Sequence, residues 1–115
     1  MKIAFFDSGM GGLSVLHHAM KVMPREQFIF YADEEHVPYG TKTKQQVRDY
    51  VAAAFDFLAG KQVKAIVTAC NTATSVAVAE MRKRYDIPII GMEPAVKKAL
   101  DLDAKHRVLV IATPI

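Results

Sequence analysis

A chain of 115 residues, 51% hydrophobic and 23% charged, has the composition of one small soluble globular domain. Its longest apolar runs, Val63 to Cys70 and Val108 to Ala112, fall far short of the roughly 18 residues needed to span a bilayer. Fifteen basic against 12 acidic residues give a net charge of +3 without a long run of like charge, so neither a specific nucleic-acid surface nor a membrane-binding stripe is indicated. Arg82, Lys83 and Arg84 read instead as the cationic end of a helix.

The elements follow in order. Lys2 to Phe6 reads as a first strand, interrupted by Asp7 well before a signal-peptide core is complete, which implies a cytoplasmic protein. The glycine-rich turn Asp7-Ser8-Gly9-Met10-Gly11-Gly12 leads into a helical stripe of Leu13, Leu16, Ala19, Met20 and Met23, stopped by Pro24. Phe28 to Ala32 is the second strand, and Asp33 to Lys42 a polar loop containing Pro38, Tyr39 and Gly40. Thr43-Lys44-Gln45-Gln46 has the form of a capping box. Val47, Tyr50, Val51, Ala54, Phe55 and Leu58 then recur at helical spacing up to Gly60.

Lys64 to Ala69 reads as a third strand, followed by a helix from Ala73 to about Tyr85 capped by Asn71 or Thr72. Pro88 to Gly91 is a fourth strand, Pro94 to Leu100 a short helix opened by proline, and Arg107 to Ile111 a fifth strand. Strand and helix alternate throughout. That alternation implies an α/β fold, a doubly wound and mostly parallel open sheet of the flavodoxin-like type. The last strand has no helix to cover it, so the chain reads as cut short.

The chemistry concentrates where the third strand ends. Ligands of open α/β sheets bind at the carboxyl ends of the strands, and Cys70 stands there. A helix beginning just beyond it would aim unpaired N–H groups at the thiol and at any bound carboxylate, lowering a thiol pKa of about 8.5 by several units. The competing reading is a small buried hydrophobe. As the single cysteine, Cys70 excludes an intrachain disulfide, and His17, His18, His36 and His106 offer no zinc-ligand spacing.

Three loops converge on this edge: Asp7 to Gly12, Asp33 to Lys42, and Ala69 to Thr72. The first lacks the last glycine of the dinucleotide pattern, since Ser14 occupies that place, and it has no Walker lysine. Asp7, at the end of an apolar strand, needs a partner or a task. Asp33, Glu34, Glu35 and Lys42 read as a solvated loop rather than as ligands.

Four segments, Asp7 to Val15, Tyr39 to Lys42, Ala69 to Ala73 and Gly91 to Ala95, together closely resemble the glutamate racemases of the cofactor-independent aspartate/glutamate racemase superfamily. The resemblance implies two similar α/β domains with the active site between them. Residues 1–97 would be the amino-terminal domain and 98–115 the start of a second, whose first strand would be Arg107 to Ile111. It further implies interconversion of L- and D-glutamate with no cofactor or metal, supplying D-glutamate for bacterial peptidoglycan.

In such enzymes two opposed cysteines serve as acid and base. Cys70 matches the first, and the second would come from the missing carboxy-terminal half, so this chain alone is expected to be inactive. Substrate-binding positions carry over to Asp7, Ser8, Tyr39, Gly40, Asn71 and Thr72. Asp7 has two possible tasks, pairing with the substrate ammonium or exchanging a proton with the Cys70 thiol. Any role for Thr113 is left open, because the family's usual Gly-Thr is here Ala112-Thr113. A homodimer is also compatible with the resemblance. The alternatives are an aspartate or hydantoin racemase and a non-catalytic flavodoxin-like ligand-binding module.

Overall fold

The computed structural model describes every residue except Pro94, Asp103, Ala104 and His106. Four strands, β1 (Ile3–Asp7), β2 (Phe28–Ala32), β3 (Ala65–Thr68) and β4 (Ile89–Gly91), form one parallel sheet in the order β2-β1-β3-β4. This is the flavodoxin-like order as far as its fourth strand. Each apolar run expected to be a strand in the first ninety residues is one, because a parallel strand covered on both faces needs apolar side chains all along it.

The helices between them are α1 (Leu13–Val22), α2 (Lys44–Ala59), and a composite helix of α3 (Asn71–Ala73), a π-helical turn (Thr74–Val78) and α4 (Ala79–Arg84). A last helix, α5, spans Val96–Leu102; the helix-opening role expected of Pro94 lies outside the described residues. The capping box of α2 forms in both directions. Gln46 N–H donates to Thr43 Oγ1 at 3.1 Å and Thr43 N–H to Gln46 Oε1 at 2.9 Å, satisfying two otherwise orphaned amides.

The two faces of the sheet are packed unequally. Ala4, Phe6, Ile66 and Ile89 join Val47, Val51, Phe55 and Leu58 of α2 and Val78 and Met81 of the composite helix in one buried cluster. Phe6 and Phe55 meet edge to face, with centroids 5.7 Å apart, a geometry the ring quadrupoles favour. By contrast, α1 buries none of its residues, and the stripe expected to cover the sheet leaves Leu13 and Met20 in solvent. No helix among the described residues is long and apolar enough to cross a membrane.

The expected fifth strand is absent. Residues 107–115 form no ladder with β4, and Leu109 and Ile111 are 85% and 89% exposed. A β-type run becomes a strand only against a partner edge that takes up its amides and carbonyls. Here the segment passes over the carboxyl edge of the sheet, and Ile115 packs against the buried cluster.

The inequality of the two faces predicts the cost of truncation. Phe55→Ala should destabilise by about 3–5 kcal/mol, whereas Met20→Ala on α1 should stay within about 0.5 kcal/mol. Urea unfolding followed by circular dichroism measures both, and equal costs would contradict the one-sided core.

Candidate active site

Phe6 and Thr68 are partners in the β1–β3 register, and Ala69 N–H donates to Phe6 O at 2.8 Å. The chain therefore leaves β1 and β3 side by side, and it leaves them where the strand order reverses, since β2 lies to one side of β1 and β3 to the other. That reversal opens the crevice in which such sheets hold ligands. Asp7 closes β1 there, and Cys70 follows β3 by two residues.

The Asp7 carboxylate is buried, and its hydrogen bonds organise the first loop. Ser8 N–H donates to Oδ1 at 2.8 Å and Gly12 N–H to Oδ2 at 2.6 Å. Two amides that would face a phosphate in a nucleotide-binding loop thus face a carboxylate of the protein itself, which weighs against the nucleotide-module reading.

Cys70 is 6% exposed. Its backbone is extended, at φ −99° and ψ 121°, and its own sulfur caps the helix: Ala73 N–H donates to Sγ at 3.4 Å. The cap expected at Asn71 or Thr72 is therefore one position earlier, because both residues already belong to the helix and cannot adopt the extended geometry of a cap. The thiol donates in turn to Ser8 Oγ, also at 3.4 Å, which links the first and third loops directly.

The second loop is less solvated than its composition suggests. Asp33 is 6% exposed and accepts from the Tyr39 hydroxyl at 2.6 Å; its other oxygen lies 2.8 Å from His36 Nδ1, and the His36 ring stacks on Tyr50. Glu34 and Glu35 are exposed, as expected. Burial, followed by the hydrogen bond to Asp33 and the charge of that carboxylate, pushes the Tyr39 phenol well above its ordinary value of 10.0. Tyr39 is consequently a fixed neutral donor. The signal missed in Asp33 is its position, since it ends an apolar strand just as Asp7 does.

The first and third loops form the floor of a cleft of about 620 Å³, lined by Asp7, Gly11, Cys70, Asn71 and Thr72 below and by residues 110–113 above. Thr113 closes it, with its Oγ1 3.0 Å from Thr72 Oγ1 and its side chain against Gly40, where an added Cβ would lie 3.1 Å away. Asp7, Ser8, Cys70, Asn71 and Thr72 are thus gathered at one place. Gly40 approaches them through Thr113, and Tyr39 shares the buried cluster with Cys70 while spending its hydroxyl on Asp33. Among the described residues, no group of three His, Cys, Asp or Glu side chains is placed to hold a metal ion. A smaller depression of about 280 Å³, lined by Lys2, Gln27 and Lys61 among others, lies at the amino ends of the strands, away from this chemistry.

Fold and site together define an α/β domain with a buried free cysteine at the switch point of its sheet. Residues 14–115 match the family model described as Asp/Glu/Hydantoin racemase, and the chain belongs to that family. It is 55% identical over 115 residues to glutamate racemase 2 of Bacillus subtilis (strain 168), covering 98% of this chain and 43% of that protein. It is 50% identical to the glutamate racemase of Halothermothrix orenii, covering 100% and 46%. Among solved structures, the glutamate racemase of Francisella tularensis in complex with D-glutamate superposes with a TM-score of 0.81 at 34% identity, over 98% of this chain and 42% of that one. The chain spans less than half the length of the curated relatives it matches.

The raised phenol of Tyr39 yields a pH prediction. The unfolded chain ionises above about pH 10 while the folded one holds the phenol neutral, so this contribution to stability is complete below that pH and declines above it. Tyr39→Phe should cost about 1–3 kcal/mol at neutral pH, because Asp33 loses a buried partner. Melting curves from pH 8 to 11 should fall less steeply for the variant than for the native chain, and parallel curves would count against the assignment.

Proposed function

We propose that this chain is the amino-terminal half of a cofactor-independent glutamate racemase, with residues 1–97 as one domain and 98–115 as the start of the second. The observation that carries the reading is the placement of Cys70 at the β1–β3 switch point, where its sulfur faces the first amides of a helix on one side and the Asp7–Ser8 loop on the other. The names of its relatives favour glutamate over aspartate or a hydantoin as substrate. The reading carries with it a cytoplasmic enzyme and a homodimer.

In this mechanism the Cys70 thiolate takes the Cα proton from one face of the amino acid. The C–H electron pair spreads into the α-carboxylate, and a thiol of the other half returns a proton to the opposite face. One proton is removed and one added, so the two sulfurs exchange protonation states in each turnover. Asn71 and Thr72, at the helix start, hold the α-carboxylate and lower the cost of charging it further. Ser8 supplies one more hydrogen bond, and Tyr39 and Gly40 bring the second loop against the substrate. Asp7, already held by two amides, lines the same cleft as the thiol and in this reading orients the proton transfer.

Inversion requires acid and base on opposite faces, so the purified 115-residue chain should not racemise glutamate and should at most exchange its Cα proton slowly with deuterium. Adding the complementary half should restore racemisation, measured by polarimetry with aspartate run in parallel, and Cys70→Ser should abolish the restoration. Robust racemisation by the chain alone, or restoration with serine in place, would refute the two-thiol reading.

Asp7→Asn in the two-domain enzyme distinguishes the two tasks open to that carboxylate. A role in proton transfer lowers kcat and kcat/KM together by about a hundredfold or more. A raised KM with unchanged kcat would assign Asp7 to the substrate ammonium instead.

A further inference from the structure

We propose that Thr74 is a positioning residue for Cys70, coupling the orientation of the nucleophile to the carboxyl end of β4. This rests on the assignment of Cys70 as the reacting group. Thr74 opens the π-helical turn, and its Oγ1 lies 2.9 Å from Cys70 O, to which it donates; Thr68 O is more distant at 3.4 Å. Thr74 N–H also donates to Cys70 O, at 3.0 Å. Both lone pairs of that carbonyl are thereby engaged by one residue. The peptide plane between Cys70 and Asn71 is fixed, and with it the directions of the Cys70 Cα–Cβ bond and the Asn71 N–H.

A threonine bonding back to the carbonyl four residues earlier is by itself an ordinary helical habit. Here the same oxygen also accepts. Met92 N–H, just beyond β4, donates to Thr74 Oγ1 at 3.1 Å and to Thr68 O at 3.1 Å. Gly91 presses against the Thr74 methyl so closely that a Cβ at position 91 would fall 2.6 Å from Cγ2. The hydroxyl thus joins the end of β3, the nucleophile's own carbonyl and the end of β4, while the methyl fits a space that only glycine leaves. Thr74 does not itself line the cleft, so it acts through Cys70 and the helix start.

The test compares alkylation of Cys70 by iodoacetate and by iodoacetamide in the full 115-residue chain at one pH. The same thiolate displaces iodide from both reagents, so thiol ionisation and general accessibility cancel in the ratio of rate constants. What remains is the preference for a carboxylate placed by the helix-start amides. Thr74→Val should lower the ratio about fivefold, the worth of one ordinary hydrogen bond, and Thr74→Ser should keep it within about twofold of the native value. Should Thr74→Val fail to fold by circular dichroism, Thr74→Ala takes its place with the same expectation. A native ratio in the hydroxyl-free variant, or a ratio in Thr74→Ser as low as in that variant, would overturn the proposal. No amino acid substrate enters the measurement, so its outcome is separate from that of the racemisation assay.

Discussion

The constraint on which the site depends is the passage of the first loop between two strand ends. At Gly12 a Cβ would lie 2.9 Å from the Ala69 Cβ, closer than such atoms approach in folded proteins, and 3.0 Å from the Asp7 Cβ. The bare backbone can therefore bring its N–H to the Asp7 carboxylate while α1 begins beside the end of β3. Ser8 comes within reach of the Cys70 sulfur only because that loop is drawn so close. The requirement is on space rather than backbone conformation, since Gly12 has φ −65° and ψ −11°, which any residue can adopt.

The site borrows its rigidity from one side of the sheet. The cluster of α2 and the composite helix against Phe6 and Ile66 includes Cys70 and Tyr39, so the cysteine and the second loop are continuous with the core. The rim is built differently. Residues 107–114 are exposed, and their tie at the cleft is the contact of Thr113 with Thr72 and Gly40. A firm floor thus lies under a lightly held rim, and the rim is where local opening costs least.

Much of this was legible in the residues. Lys2 to Phe6, Phe28 to Ala32 and Pro88 to Gly91 are apolar runs of strand length bounded by polar or glycine turns, and the Thr43–Gln46 capping box is purely local chemistry, so neither needed tertiary information. Cys70 stood out because a strand-to-helix junction is itself a local signal. What escaped depends on neighbours distant in the chain. Asp33 looked solvated because its partner Tyr39 becomes close only through the 3₁₀ turn at Glu34–His36 and the start of a second at Tyr39–Thr41. Arg107 to Ile111 has strand propensity but no ladder to join. The cap at Cys70, rather than at Asn71 or Thr72, turns on a single residue's backbone angles, and the π turn has no compositional signature.

That turn has a consequence for how the chain tolerates change. In an uninterrupted α-helix every residue is locked in phase with every other at about 100° per step, so an alteration at Asn71 or Thr72 that shifted the helix start would rotate Val78 and Met81 off the sheet. The widened turn at Thr74–Val78 is a slack element between these two ends. It can take up or release a residue's worth of rotation, with Arg48 Nε bonded to the Val76 carbonyl at 3.2 Å across it. The end of the helix at the cleft and the end packed on the sheet therefore need not keep a single α-helical phase, like two gears joined by a clutch.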